Sequence, residues 1–421
     1  MFSIIKQVFA KKNKDLLIRI LFTLGAVTLF TVGTSITVPG TRNITSSLGF
    51  LELINVMGGG ALKKFSIFAL GVMPYISASI VIQLLQMDII PYLSDLAKQG
   101  HVGRQKINKI TRYVGIILAF IEGYAFAFAF LGKGLPIIEY MYVAIVLTAG
   151  TAFLLWLGDQ VTQKGIGNGI SLFIMAGIIG TLPSTFVKAY RILVLSTGVF
   201  TALGLIKFIT FIFLYFGIII GIIFIQEAEK RIPIQYANRS SSALGAKQSF
   251  MPIKINSAGV MPVIFASSVL AIPATLTQII KKEAFTNFVK DYLNYTSTVG
   301  FLIYIVLIFF FAYFYTFLQM KPEDLAKNLQ ENGGYIPGIR PGKATEKNIG
   351  KILSRLTIVG AVFLIIIAGM PIMFSKITSL PDEITIGGTG LLIIVGVALE
   401  TYKQLEGSLL ARGYKKGYSR K

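Results

Sequence analysis

The sequence predicts an all-α, polytopic membrane protein with ten transmembrane helices. Apolar residues make up 54% of the 421 residues and charged residues only 14%, whereas about a quarter of an ordinary globular domain is charged. The mean hydropathy is +0.71. A soluble chain with so few charges could not cover its surface with polar side chains, so the composition favours a protein that lies largely in a lipid bilayer.

Ten apolar segments have roughly the 20 residues that a helix needs to cross a bilayer. They lie near residues 16–38, 65–87, 109–131, 139–158, 170–187, 201–225, 256–278, 299–319, 353–374 and 387–403. The fifth and the tenth are the shortest and are rich in glycine. The first is too long for the apolar part of a secretory signal peptide, so we expect it to remain as an uncleaved first helix.

The ten spans divide into two halves of five, residues 1–187 and 188–405, followed by a basic tail at 406–421. A half with an odd number of spans that is followed by its copy has inverted topology. The two halves share no obvious residue-level repeat, so the expectation of pseudo-symmetric halves depends on the number of spans alone.

The distribution of positive charge predicts the orientation of the chain. The formal net charge is +21. About three quarters of the 40 Lys and Arg residues lie in the N-terminal segment, the even-numbered connections and the C-terminal tail, which places both termini in the cytoplasm. This basic face is also expected to attract anionic lipids.

Three connections between spans are too long to be simple turns. They lie at 39–64, 226–255 and 320–352. The first holds a moderately apolar stretch at 47–57 followed by Gly58–Gly60, which predicts one or two helical turns and then a helix stop. The third contains a run rich in Gly and Pro at 333–342, which excludes a helix there. Long structured connections on one face suggest a docking surface.

The residue inventory excludes several kinds of catalytic site. The chain has no Cys and a single His, His101, which excludes disulfides, thiolate metal sites and a His-rich metal cluster. The Gly-rich run at 165–169 lacks the preceding strand and the acidic partner of a nucleotide-binding loop, so we interpret it as a tight turn. No catalytic residue, cofactor or metal site is therefore predicted.

Polar residues inside the spans leave two interpretations open. Glu122 lies near the middle of the third span, where an acid is costly and often functional. It is either a coupling group or part of a polar seam facing a partner helix or water. The second and seventh spans carry several small polar residues, and Pro74 is expected to kink the second. Ordinary helix packing explains these residues as well as a special function does.

Four sequence stretches resemble the SecY/Sec61-alpha family of protein-conducting channel subunits. They read SIFALGVMPYISASI at 66–80, KGIGNGIS at 164–171, NSAGVMPVIFASS at 256–268 and PGIRPG at 337–342. The resemblance covers essentially the whole chain. It implies that the two halves surround an hourglass-shaped central pore, through which unfolded preproteins cross the plasma membrane.

The resemblance also implies a ring of apolar side chains at the waist of the pore. Seven positions match it: Val72, Ile76, Ile174, Ile178, Met261, Ile264 and Ile393. Val72 and Met261 depart from the isoleucine that the family favours. A narrow apolar ring dewets and blocks ions without binding a passing chain specifically. The segment near 44–64 resembles the plug of the family, and the three hinge positions are Gly58, Gly59 and Gly60.

A lateral gate is implied between spans 2 and 3 on one side and spans 7 and 8 on the other, with Gln83 and Ser268 at the seam. Arg340 matches the critical arginine of the last cytoplasmic loop, which in the family contacts the motor ATPase SecA or the ribosome. Arg239 and Lys247 are secondary candidates for docking. The implied partners are the small membrane subunits SecE and SecG, SecA, the ribosome, and preproteins with their signal peptides.

Two other classes of protein remain as alternatives. Ten spans in two halves also suit a secondary transporter for a small solute, although the spans lack paired charges. An intramembrane protease would need catalytic side chains that the spans do not provide. We therefore predict a channel subunit of the bacterial plasma membrane and not an enzyme.

Overall fold

Helices make up most of the structure, a computed structural model that describes residues 14–41, 44, 52–87, 89–131, 135–195, 202–236, 249–279, 282–294, 297–378 and 387–418. In chain order they are α1 (Lys14–Gly33), α2 (Glu52–Met57), α3 (Met73–Leu85), α4 (Pro91–Lys98), α5 (Gly100–Phe130), α6 (Ile137–Lys164), α7 (Gly169–Val194), α8 (Ala202–Glu227), α9 (Met261–Ile279), α10 (Glu283–Phe288), α11 (Thr298–Gln319), α12 (Pro322–Glu331), α13 (Lys343–Thr378) and α14 (Gly387–Tyr418). A π-helical turn, Val289–Leu293, follows α10.

Among the described residues, ten of these helices correspond to the ten predicted spans: α1, α3, α5, α6, α7, α8, α9, α11, α13 and α14. Seven helices are long and apolar enough to cross a membrane, while α3 and the first part of α9 are shorter apolar helices. Several helices extend beyond the predicted spans. The fifth span was expected to end at 187, but α7 continues to Val194.

The second span is helical over only part of its predicted length. Residues 58–72 form a series of turns, and α3 begins at Met73. Gly59, Gly60 and Gly71 adopt positive φ angles that a helix cannot contain. The expected kink at Pro74 is wrong, because Pro74 lies in the first turn of α3, where a missing N–H costs nothing. Irregular backbone of this kind is tolerated at membrane depth only when protein surrounds it.

The Gly-rich run at 165–169 forms the turn between α6 and α7. The Asn168 side chain caps α7 by accepting hydrogen bonds from the N–H groups of Ile170 and Ser171 at 3.1 and 3.4 Å. The Ile166 N–H donates to Thr23 Oγ1 of α1 at 3.0 Å. The Gly167 N–H donates to Gln404 Oε1 of α14 at 2.7 Å. The run therefore joins helices from both halves of the chain.

A small β-sheet departs from the all-α expectation. Strand β1 (Glu229–Tyr236) pairs antiparallel with β2 (Ser249–Lys254) and with β3 (Gly334–Tyr335), in the order β2-β1-β3. The sheet joins the two long connections that were predicted on the basic face. It covers an apolar core of its own, made of Ile232, Ile234, Ile253, Leu329, Ile336, Ile349 and Leu353. We call the sheet, α12 and the start of α13 the platform.

Candidate functional site

The seven predicted ring residues lie in or against the main buried core, although they come from both halves of the chain. Six of them are at most 8% exposed, and Met261 is half-buried against the same core. Ile76 lies on α3 with Val72 just before it, Ile174 and Ile178 on α7, Met261 and Ile264 on α9, and Ile393 on α14. Helices from both halves therefore contribute to one apolar core. Five of the seven side chains line one or both of two cavities, whereas Val72 and Ile76 line neither.

Two cavities end at this cluster from opposite directions. The larger has a volume of about 480 Å³ and lies on the platform side, with Lys254, Gln319 and Glu400 in its polar wall. Its inner end is apolar. Four ring residues line it there: Ile174, Met261, Ile264 and Ile393. We call this cavity the funnel.

The smaller cavity lies beyond the ring and has a volume of only about 10 Å³. Ile178, Ile264 and Ile393 line it on the ring side, and Val56 and Met57 of α2 line it on the other. A cavity of this size holds at most one water molecule, and its lining is apolar apart from Ser267 and Thr389. Ile264 and Ile393 line both cavities, so these two side chains separate the funnel from α2.

The helix α2 lies in the predicted plug segment 44–64. Of this segment, the structure describes residue 44 and residues 52–64. Gly58, Gly59 and Gly60 follow α2 directly, so the helix ends where the sequence predicts. The Gly60 N–H donates to the Asn55 carbonyl at 2.7 Å, and Gly59 and Gly60 have φ of 71° and 80°. These angles favour glycine over any residue with a Cβ atom.

A close backbone contact seats α2 on α7. A Cβ atom added to Gly177 of α7 would overlap the carbonyl oxygen of Met57 and would come within 2.9 Å of the Gly59 nitrogen. The two backbones can approach this closely only because position 177 lacks a side chain. Sequence reasoning missed this residue, since nothing near it in the chain distinguishes it from other helical glycines.

The predicted seam lies where α9 packs against α3 and α5. On α3, Gln83 donates from Nε2 to Ser79 Oγ at 2.9 Å, while its Oε1 is buried without a hydrogen-bond partner in the described structure. On α9, Ser268 donates to the Ile264 carbonyl of its own helix at 2.9 Å. Both predicted side chains therefore bond within their own helices and not across the seam.

Glu122 lies half-buried on α5. It forms no salt bridge in the described part of the chain. The described ion pairs include Arg112–Asp159 between α5 and α6, and Lys403–Glu227 between α14 and α8 at 2.8 Å. The position of Glu122 leaves both of its predicted interpretations open.

Of the three predicted docking residues, only Arg340 belongs to the described structure; Arg239 and Lys247 lie outside the described residues. Arg340 is exposed in the turn between β3 and α13, and its carbonyl accepts a hydrogen bond from Thr345 Oγ1 at 2.9 Å. The platform fixes this turn, because the Tyr335 hydroxyl donates to Gln235 Oε1 of β1 at 2.9 Å. The described parts of the two long connections therefore form one folded unit.

Comparisons with known proteins agree with this architecture. The family model SecY matches residues 66–402. A protein translocase subunit SecY from Staphylococcus epidermidis is 49% identical over 416 residues, covering 96% of each chain. One from Staphylococcus carnosus is 47% identical over 420 residues, covering 96% of this chain and 97% of that protein.

Solved structures share the fold at lower identity. A structure described as that of a protein conducting channel superposes with a TM-score of 0.66 at 21% identity, covering 93% of this chain and 92% of that one. Sec61 in a canine ribosome-channel complex superposes with a TM-score of 0.60 at 20% identity and the same coverage. With the extent of the family match and the identity to the staphylococcal proteins, these findings show that the chain belongs to the SecY family.

Proposed function

We propose that this chain is the channel subunit of a protein translocase and that unfolded preproteins pass from the funnel through the ring. The observation that carries the proposal is the pair Ile264 and Ile393, which divides a funnel with polar outer walls from a small cavity closed by α2. Apolar side chains offer no hydrogen bonds to a passing segment, so they select against ions and not between polypeptide sequences. The small-solute transporter is not favoured, because the reported relatives are protein translocase subunits.

The chain is a multi-pass membrane protein, and we place it in the bacterial plasma membrane with both termini in the cytoplasm. The platform then faces the cytoplasm, as does the funnel. A seam between α3 and α5 on one side and α9 and α11 on the other is the proposed lateral exit for transmembrane segments. Unlike an enzyme, such a channel performs no chemistry, so a partner must supply the driving energy.

The proposed partners follow from the platform and from the family resemblance. SecA and the ribosome are the candidates for the platform, because an exposed Arg340 suits both acidic protein surfaces and rRNA phosphates. Relatives of the same fold are described in ribosome complexes, including a yeast Ssh1 complex. SecE and SecG are the proposed membrane subunits, and anionic lipids the proposed contacts of the basic face.

The proposal is tested with the purified chain and its small subunits in liposomes. SecA, ATP and a signal-bearing preprotein are added, and transport is scored as protection from protease. We expect Arg340→Glu to reduce protection at least about tenfold, because a repulsive charge replaces a bidentate cation at the contact. The matched control is Arg104→Glu, an equal charge reversal at an exposed position near the start of α5, outside the platform.

The outcomes separate the parts of the proposal. Transport that survives Arg340→Glu would contradict the docking role and leave the channel intact. Transport that is lost equally with Arg104→Glu would indicate a general charge effect and not a specific contact. Absence of transport by the unaltered chain in sealed, correctly oriented vesicles would favour the small-solute transporter.

At the seam, we expect Gln83→Leu to slow signal-dependent transport. The closed structure buries Gln83 Oε1 without a partner, and removing such an acceptor stabilises the closed state by about 1 kcal/mol or more. Opening then becomes about fivefold less favourable. Ser79→Ala is expected to have the opposite effect and to speed signal-dependent transport. It leaves the Gln83 amide without its acceptor and so destabilises the closed seam. Equal rates in the two variants would argue against a seam that opens at Gln83.

A further inference from the structure

The connection between α9 and α11 contains a short helical segment, Glu283–Leu293, made of α10 and the π-helical turn. Strand β2 precedes α9 and helix α12 follows α11. Because α9 and α11 both cross the membrane, this segment lies on the side opposite the platform. The π-helical turn packs against both α9 and α11, so the segment has a fixed position at the end of the bundle.

The segment has two apolar faces, of which the protein covers one. Phe285, Val289 and Leu293 follow one another at four-residue spacing and are buried or half-buried, with Val289 only 7% exposed. Phe288 and Tyr292 are also four residues apart, but they are 52% and 50% exposed. Their rings stack on each other, with centroids 5.3 Å apart. The charged side chains of the segment, Glu283, Lys290 and Asp291, are exposed, as is Lys282 just before it.

The ends of the two neighbouring spans also expose apolar side chains. Leu276 near the end of α9 is 39% exposed, and Val299 and Leu302 at the start of α11 are 44% and 57% exposed. These side chains face lipid in a membrane-embedded bundle. Only the residues between Leu293 and Thr298 separate the segment from the start of α11. The pair therefore lies at the level where acyl chains give way to headgroups.

We propose that Glu283–Leu293 is a lipid anchor, which inserts Phe288 and Tyr292 into the membrane–water interface opposite the platform. Aromatic rings are most favourable at this depth, where the ring is apolar and the tyrosine hydroxyl reaches water. Lys290 and the preceding Lys282 reach lipid phosphates, while Glu283 and Asp291 stay in water. The anchor holds α9 and α11 at a constant depth. The lipid contact itself does not depend on the proposed channel function.

The single tryptophan of the chain, Trp156, allows a direct test of this contact. In a Trp156→Phe background, Phe288→Trp provides one fluorophore at the anchor. The variant is reconstituted in vesicles of phosphatidylcholine and phosphatidylglycerol with bromine on shallow or on deep acyl carbons. We expect roughly a twofold loss of emission with the shallow label, and a smaller loss with the deep label. Tyr292→Trp in the same background gives an independent measurement.

Two controls fix the scale of quenching. Trp156 in the unaltered chain is 55% exposed on α6 and reports direct lipid contact. Phe250→Trp in the Trp156→Phe background reports water exposure, because Phe250 is 47% exposed on β2 of the platform. Quenching of Phe288→Trp by aqueous iodide and not by lipid, as for Phe250→Trp, would overturn the proposal. Resistance to both quenchers would also overturn it, because a protein subunit would then cover the pair.

Discussion

A chain that carries both Gly177→Val and Ile393→Asn is expected to pass ions continuously at rest, with about tenfold more current than either single variant. The proposed channel has two seals in series, the apolar side chains between the two cavities and α2 behind them. For barriers in series the higher one limits the current, so opening one seal leaves the other in control. Planar bilayers containing the purified channel provide the measurement.

The two substitutions act on different seals. A valine at position 177 has no room beside the Met57 carbonyl and the Gly59 nitrogen, and overpacking of this kind costs about 1–3 kcal/mol. This strain favours the state in which α2 has moved away from α7, so that state is more populated than in the unaltered chain. Ile393 lines both cavities, and an asparagine there offers water a hydrogen-bonding group on the funnel side of the ring. The narrow passage then wets and ceases to block ions.

A matched control for this prediction lies in the same helices. A Cβ atom added to Gly180 of α7 has nothing within 4 Å, and Ile394 of α14 does not line either cavity. The double variant Gly180→Val with Ile394→Asn should therefore remain sealed. A leak of equal size in the control would mean that general loosening of the bundle carries ions. If the current through the double variant equalled the sum of the currents through the two single variants, two seals in series would be contradicted.

The long-range pattern of the chain could be predicted because composition and hydropathy report it directly. Ten apolar segments appear as ten helices in the described residues, and the helix stop at Gly58–Gly60 follows α2. The position of the pore ring came from the family motifs. Periodicity alone cannot separate a lipid-facing isoleucine from a central one. The cavities on either side of Ile264 and Ile393 give this assignment its physical support.

The features that sequence reasoning missed depend on contacts between distant residues. The platform sheet was missed because β3 is only two residues long and pairs with a strand about 100 residues earlier. The Gly177 contact was missed because it depends on the backbone of another segment. The turns at 65–72, inside the predicted second span, were missed because an apolar run indicates membrane burial and not the backbone conformation within it.

Disrupting the core of the platform is expected to abolish motor- or ribosome-driven transport while the resting pore stays sealed. Leu329 of α12 is 8% exposed and belongs to the core that holds the sheet. Leu329→Asp buries a carboxylate without a partner, which costs several kcal/mol. The pairing of β3 with β1 would be lost, and Arg340 would no longer be held in its turn. The ring lies in a separate apolar core, so the seal should persist.

The adjacent residue of the same helix supplies the control for this last prediction. Asn328 is exposed, so Asn328→Asp adds the same charge without burying it and should leave transport within about twofold of the unaltered chain. Transport and bilayer conductance are measured on both variants. A leak in Leu329→Asp would contradict independent cores, whereas full transport would show that docking does not need a folded platform. Loss of transport without a leak is the result that assigns docking and sealing to separate parts of one chain.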